Sequence, residues 1–154
     1  MKTMKIMSPF MIVIMFGFLT SSAFAQTDAE NHAKFSNLNK EIVQHTNAIA
    51  TGEAKTKNEQ ITHYNEARKS FIEAKKTNSL LKKVIPENAK SEAVVHHDNI
   101  DKFYSAALPH VNVMLEELKN EKSDDAKLKD HAKKIHDNIE LAEKEHQLLL
   151  RDTQ

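Results

Sequence analysis

The sequence predicts an all-α protein: a single antiparallel up-down-up-down four-helix bundle that follows a cleaved signal peptide. Three observations lead to this prediction. The first 25 residues have the layout of an export signal. The rest of the chain contains almost no glycine or proline and is rich in Ala, Glu, Lys, Leu and Asn, a composition that favours helix. Apolar residues in four of its stretches recur at alternating spacings of three and four.

The export signal occupies residues 1–25. Lys2 and Lys5 give it a positive start, an apolar run follows from Phe10 to Leu19, and Ala23-Phe24-Ala25 is a small-x-small cleavage site. The run is shorter than the about 20 apolar residues of a spanning helix. We therefore predict that residues 26–154 form one mature domain with no stable membrane span, located in the periplasm of a Gram-negative bacterium or secreted.

The composition of this domain excludes several classes of protein. Its 20 Lys and Arg residues stand against 22 Asp and Glu residues, so its net charge is near −2 with neutral histidines, which argues against a nucleic-acid partner. The chain has no cysteine, which excludes disulfides, thiolate zinc sites and covalently attached haem. We expect a protein client or a second copy of the chain as the partner.

The first two helices are each predicted to start at a capping box, in which a threonine hydroxyl and a glutamate carboxylate satisfy free backbone N–H groups. These boxes are Thr27-x-x-Glu30 and Thr56-x-x-Glu59, and Gly52 is suited to the end of the first helix. The apolar stripe of the first helix comprises Phe35, Leu38, Ile42, His45 and Ile49. The stripe of the second comprises Tyr64, Ala67, Phe71, Ala74, Asn78, Leu81 and Ile85, before Pro86.

The third and fourth helices follow the same rule. The third stripe comprises Ala93, His97, Ile100, Tyr104, Ala107, Val111, Met114 and Leu118, with Pro109 inside the helix. Ser123 is the predicted N-cap of the fourth helix. Its stripe comprises Leu128, Ala132, Ile135, Ile139, Ala142, His146 and Leu149.

All nine histidines lie in the mature domain, and their heights along the bundle predict two groups. One group, near the connections at Gly52 and Ser123, comprises His45, His63, His110 and His131. The other, near the opposite end, comprises His32, His97 and His146. Neutral imidazole is a common ligand of transition metals, so either group could bind zinc or copper. The same positions also fit ordinary polar core and boundary residues without a ligand, and His136 is expected to point outward.

No complete catalytic motif occurs, so we predict a non-enzymatic protein without catalytic residues or an organic cofactor site. A ferritin-like di-iron site needs two Glu-x-x-His motifs, and the chain contains only Glu143-x-x-His146. Gly-x-Ser-x-Gly, His-Glu-x-x-His and phosphate-loop patterns are also absent from the sequence.

Two stretches resemble a known group of domains. The segments QITHYNEARKSFIEAKK (60–76) and DAKLKDHAKKIHDNIELAEKEHQLL (125–149) are similar to the ferritin-like, exported four-helix-bundle domains of unknown function from Gram-negative bacteria. The resemblance implies the fold and the compartment, and it assigns no residue a role.

Two functional hypotheses follow from the sequence. In the first, the bundle binds a transition metal through one of the histidine groups. In the second, it is a cofactor-free interaction or stress protein that responds to pH, because nine imidazoles with an unperturbed pKa near 6.5 gain charge as the pH falls.

Overall fold

The computed structural model describes residues 9–85, 87 and 90–152, and side chains only beyond residue 27. Four helices account for most of this part of the chain: α1 (Pro9–Ala50), α2 (Lys57–Lys83), α3 (Lys90–Lys119) and α4 (Asp125–Asp152). No strand occurs in the described ranges. The predicted all-α four-helix bundle is therefore confirmed.

Helix α1 begins earlier than the sequence predicted. It runs without a break from Pro9 to Ala50, so the predicted capping box at Thr27 does not mark its start. Because residues 9–26 are already helical, no turn or break precedes Thr27 and its backbone needs no cap. Residues 1–8 of the predicted signal peptide lie outside the described residues. Among the helices described, none combines the length and apolar character that a membrane span requires.

The connection between α1 and α2 follows the prediction closely. Gly52 has a φ of 78°, a left-handed conformation that glycine adopts without the steric cost of a side chain. At the start of α2, the backbone N–H of Glu59 donates to the Thr56 hydroxyl at 3.2 Å, and the Thr56 N–H donates to the Glu59 carboxylate at 2.9 Å. The predicted capping box of α2 is thus confirmed.

Asp124, not Ser123, caps α4. Its carboxylate accepts the backbone N–H of Ala126 at 3.0 Å and that of Lys127 at 3.2 Å, which are the second and third residues of the helix. An N-cap side chain normally accepts from these two positions. The predicted cap at Ser123 is therefore wrong by one residue.

Contacts between neighbouring helices show how the bundle is arranged. Residues of α1 pair with α2 in reverse order, as in Lys34–Glu73, Glu41–Ser70 and His45–His63, which is the pattern of antiparallel neighbours. The contacting pairs are α1–α2, α2–α3, α3–α4 and α1–α4, so the helices form a closed ring in chain order. Of the four interfaces, α2–α3 has the fewest contacts.

The predicted apolar stripes of α3 and α4 are buried in full. The stripe of α2 is also buried from Tyr64 to Leu81, whereas Ile85 lies beyond the end of the helix and Pro86 lies outside the described residues. In α1, Leu38 and His45 are only partly buried, and their neighbours Asn39 and Thr46 take the central positions. Phe35, Ile42 and Ile49 are buried as predicted, so the stripe of α1 is shifted by one residue only at these two positions.

Candidate functional site

The histidines form pairs that join neighbouring helices. His32 Nδ1 lies 2.9 Å from His146 Nε2, between α1 and α4. His45 Nδ1 lies 2.9 Å from His63 Nδ1, between α1 and α2. His110 Nδ1 lies 2.8 Å from His131 Nδ1, between α3 and α4. Three of the four helix interfaces therefore contain an imidazole–imidazole contact.

The distance between the paired nitrogens indicates whether a metal ion or a proton lies between them. Zn–N bonds of about 2.0–2.1 Å at a tetrahedral angle would place two ligand nitrogens about 3.3 Å apart. The observed separations of 2.8 and 2.9 Å are shorter and match a direct N–H···N hydrogen bond. Each pair thus has the geometry of two imidazoles that share a proton.

The four histidines predicted to form one group do not converge. They divide into His45–His63 at the α1–α2 interface and His110–His131 at the α3–α4 interface, on opposite sides of the ring. Within the described ranges, no group of three or more histidine, aspartate or glutamate side chains is arranged to hold a metal ion.

The His45–His63 pair is half-buried and has carboxylates nearby. Burial lowers the pKa of His45, and the neighbouring His63 lowers it further. The carboxylates of Glu66 and Glu41 oppose this shift without cancelling it. His45 therefore favours the neutral form in the folded protein.

The His110–His131 pair has similar surroundings. Burial is the largest cause that lowers the pKa of His110, followed by His131 and the Lys134 ammonium, whereas the Asp130 carboxylate raises it. Pro109 precedes His110 inside α3, which continues through it to Lys119.

A second feature is a layer of polar side chains inside the bundle, which we call the buried polar layer. It receives residues from all four helices. Its members are His32, Ser36, Asn39, Asn78, His97, Tyr104, Glu143 and His146. Because a buried polar group without a partner costs about 1–3 kcal/mol, the bonds within this layer decide whether the core is stable.

Glu143 is the centre of the layer. Its carboxylate accepts hydrogen bonds from Ser36 Oγ at 2.6 Å, Asn39 Nδ2 at 2.8 Å and Gln147 Nε2 at 2.6 Å. Burial alone would raise the pKa of Glu143, but these donors and His146 outweigh burial and lower the pKa to about 2. The carboxylate is therefore charged at any ordinary pH.

Tyr104 extends this network to α3. Its hydroxyl donates to Asn39 Oδ1, and its ring packs between Phe35 and Phe71 at centroid distances of 6.1 and 4.9 Å. Burial, and then the Glu143 charge, raise the pKa of Tyr104 well above its usual value. The phenol is thus a permanent donor in the core.

His146 carries the only buried side-chain nitrogen or oxygen without a hydrogen bond in the described part of the chain, its Nδ1. This atom lies 3.6 Å from Glu143 Oε2, and the ring meets Phe35 edge-on. Because a bare nitrogen lone pair would face a carboxylate, the tautomer with the proton on Nδ1 is favoured. His146 Nε2 then accepts a hydrogen bond from His32 Nδ1–H.

His97 belongs to the same layer, but it bonds Asn78 and neither His32 nor His146, with which it was grouped from the sequence. Its Nδ1 lies 2.7 Å from Asn78 Oδ1, while the Asn78 amide donates to Asp101 at 2.8 Å. Burial, followed by the charges of His32 and His146 and of Lys82 and His96, lowers the pKa of His97 to about 4. His97 is therefore held neutral near pH 7.

The remaining two histidines also lie between helices. His96 Nδ1 is 2.8 Å from Glu145, and its Nε2 is 3.4 Å from Asp152, so it joins α3 to α4. His136 was expected to point outward, but its Nδ1 lies 3.4 Å from the Val43 carbonyl of α1. The expectation for His136 is wrong because its ring reaches back across the α1–α4 interface.

Sequence reasoning missed Ser36 and Asn39 as members of the site. The nearest signal was the spacing of Glu143 and His146, which places both on one face of α4 but does not indicate which helix supplies their polar partners.

The fold and this site define a class, a four-helix bundle with a buried polar layer and paired histidines at its interfaces. No protein-family model, no curated protein and no solved structure matches the chain.

Proposed function

We propose that the protein is an exported, non-enzymatic helical bundle that responds to acid, in the periplasm or outside the cell. The observation that supports this best is the placement of the three histidine pairs, one at each of three helix interfaces. Such pairs hold the helices together only while at least one ring nitrogen of each contact remains unprotonated.

The chemistry of a pair explains the response. A neutral pair has one N–H donor and one lone pair as acceptor. A first proton leaves this bond in place and makes it charge-assisted. A second proton removes the acceptor and places two cations in contact, which is unfavourable. The bundle should therefore tolerate the first proton at each pair, and the second proton should separate the helices.

The pKa shifts give the direction of the effect. The pKa values of His32, His45, His97 and His110 are lowered in the folded protein, mainly by burial. The unfolded chain consequently binds protons before the folded chain does. Stability is fully present above the unfolded pKa of about 6.5 and is lost as the pH falls below it, towards about 4 for His97.

Charges that face each pair modify this response. Asp28 faces His32, and Glu143 faces His146. Glu41 and Glu66 face His45, while Asp130 and Lys134 face His110. The net direction at His32, His45 and His110 remains a lowered pKa. A bundle loosened by acid would expose the apolar stripes of its helices, to which a protein client or a second copy could bind.

The test is a pH series of thermal unfolding on residues 26–154, without a tag and with a chelator present. We expect the melting temperature to fall between about pH 7 and pH 4. A variant with His45→Gln and His63→Gln should lose part of this dependence, because glutamines can bond to each other but do not titrate. His136→Gln, which removes a histidine outside any pair, is the matched control.

A metal titration separates this proposal from the metal-binding hypothesis. The same protein is titrated with zinc and copper(II) near neutral pH, without chelator. The metal-binding hypothesis predicts tight, stoichiometric binding that is lost in the variant with both His45 and His63 changed to Gln. If the melting temperature of that variant also depends on pH in the same way as that of His136→Gln, the pairs are metal ligands and the acid response is refuted.

A further inference from the structure

A groove between α2 and α3 lies apart from the histidines. Its volume is about 320 Å³. The side chains that line it are Arg68, Phe71, Ile72, Lys75, Leu108, Val111 and Asn112. Small-molecule sites in proteins have volumes of about 300–1,000 Å³, so the groove is large enough for a small ligand. It lies at the interface with the fewest helix–helix contacts.

The floor of this groove and the middle of its walls are apolar. Ile72 is 53% exposed and Leu108 is 39% exposed, although both are large hydrophobic residues. Phe71 and Val111 are buried and form the floor. A small void of about 10 Å³ in the core shares Arg68, Phe71 and Val111 with the groove. A ligand that fills the groove would remove exposed hydrocarbon from water.

Two cations lie at the same groove without a carboxylate partner in the described part of the chain. Arg68 and Lys75 are seven residues apart, so their Cα atoms are about 10 Å apart along one face of α2. By contrast, the adjacent Lys69 and Lys76 form ion pairs with Glu66 and Glu73. No acidic side chain lines the groove. An apolar strip with unpaired cations at its ends is complementary to an anionic amphiphile.

We propose that this groove binds a free fatty acid. The acyl chain would lie along Ile72 and Leu108, and the carboxylate would bind Arg68 or Lys75 through charge-assisted hydrogen bonds. A docked protein helix fits less well, because stable protein interfaces bury at least about 1,200 Å² and this groove is short. The site is independent of the histidine pairs.

The probe is laurate, added by calorimetric titration to the purified protein at neutral pH. We expect one site per chain. The variant Arg68→Gln/Lys75→Gln should bind laurate roughly tenfold or more weakly, because it removes both cations that could bind the carboxylate; a tenfold loss corresponds to about 1.4 kcal/mol. The matched control is Lys69→Gln/Lys76→Gln, which removes two charges from the same helix one residue further on and should bind laurate as before.

A second pair of variants tests the apolar wall. Ile72→Gln should weaken laurate binding, whereas Leu80→Gln changes a similarly exposed apolar residue of α2 outside the groove and should not. Dodecanol, which has the same chain without the charge, should bind more weakly than laurate. Circular dichroism checks that each variant retains its helix content.

Three outcomes would overturn the proposal. They are the absence of laurate binding, equal weakening in the variants and their controls, and binding to vesicles of anionic lipid in place of free laurate. The last outcome would make the face a membrane contact.

Discussion

Glu143 shows how a half-buried charged side chain is accommodated at the edge of the core of this bundle. Its carboxylate accepts bonds from Ser36 and Asn39 of α1, and Asn39 in turn accepts the Tyr104 hydroxyl of α3. Donors from α1 and Gln147 of α4 therefore satisfy the charge, and the Asn39 amide couples it to α3. Removing the charge would leave buried donors without their acceptor.

We predict that Glu143→Gln destabilises the protein by about 1–3 kcal/mol near neutral pH, because an amide oxygen replaces a charged acceptor. The pKa of Glu143 is lowered to about 2, so its contribution is present above the unfolded carboxyl pKa and is lost as the pH falls towards 2. Urea unfolding at neutral and acid pH measures this. Glu140→Gln, at a carboxylate that is 60% exposed, is the control and should have little effect.

The members of the buried polar layer on α1 could not be predicted from the sequence. Leu38 and Asn39 are neighbours, and hydrophobicity favours the leucine for the inner position. Asn39 lies inside because its amide bonds Glu143 and Tyr104, which are 104 and 65 residues away in the chain. Polar partners at that separation leave no periodic signal near Asn39. His97 and His146 were predictable because they occupy places in regular apolar stripes.

At the scale of the helix, mutation can test which residue is the N-cap of α4. We predict that Asp124→Ala destabilises the protein by about 1 kcal/mol, the typical cost of losing an N-cap. Ser123→Ala should change the stability by much less, since the two helix N–H groups bond to Asp124. Thermal unfolding of both variants decides between the residues. A larger loss for Ser123→Ala would contradict the observed cap.

The helices themselves were largely predictable, and the exceptions have physical causes. The stripes of α3 and α4 repeat regularly enough that every predicted residue is buried. The start of α1 was not predictable because a capping box marks a helix start only where the preceding residues leave the helix. The residues before Thr27 instead continue α1 from Pro9.

For the molecule as a whole, His97 should make the largest single contribution to the dependence of stability on pH between about pH 7 and pH 4. Its pKa is lowered from about 6.5 to about 4, and it is 2% exposed. This shift corresponds to a loss on the order of 3 kcal/mol as the pH falls through that window. We predict that His97→Gln flattens the dependence, because glutamine can still donate to Asn78 but does not titrate.

Urea unfolding at several pH values between about 7 and 4 measures this slope. His136→Gln serves as the comparison, since His136 is partly exposed and bonds a backbone carbonyl. An unchanged slope in His97→Gln would show that the protonation of His97 is not coupled to unfolding.

Helix α1 is joined to both of its neighbours through imidazole pairs, to α2 by His45–His63 and to α4 by His32–His146. The α3–α4 interface also has a pair, but this interface has the most extensive helix–helix contacts of the four. Acid should therefore produce an order of release in which α1 detaches while α2, α3 and α4 remain associated. Amide hydrogen exchange under mild acid would then be fastest along α1, and the protein would open in stages.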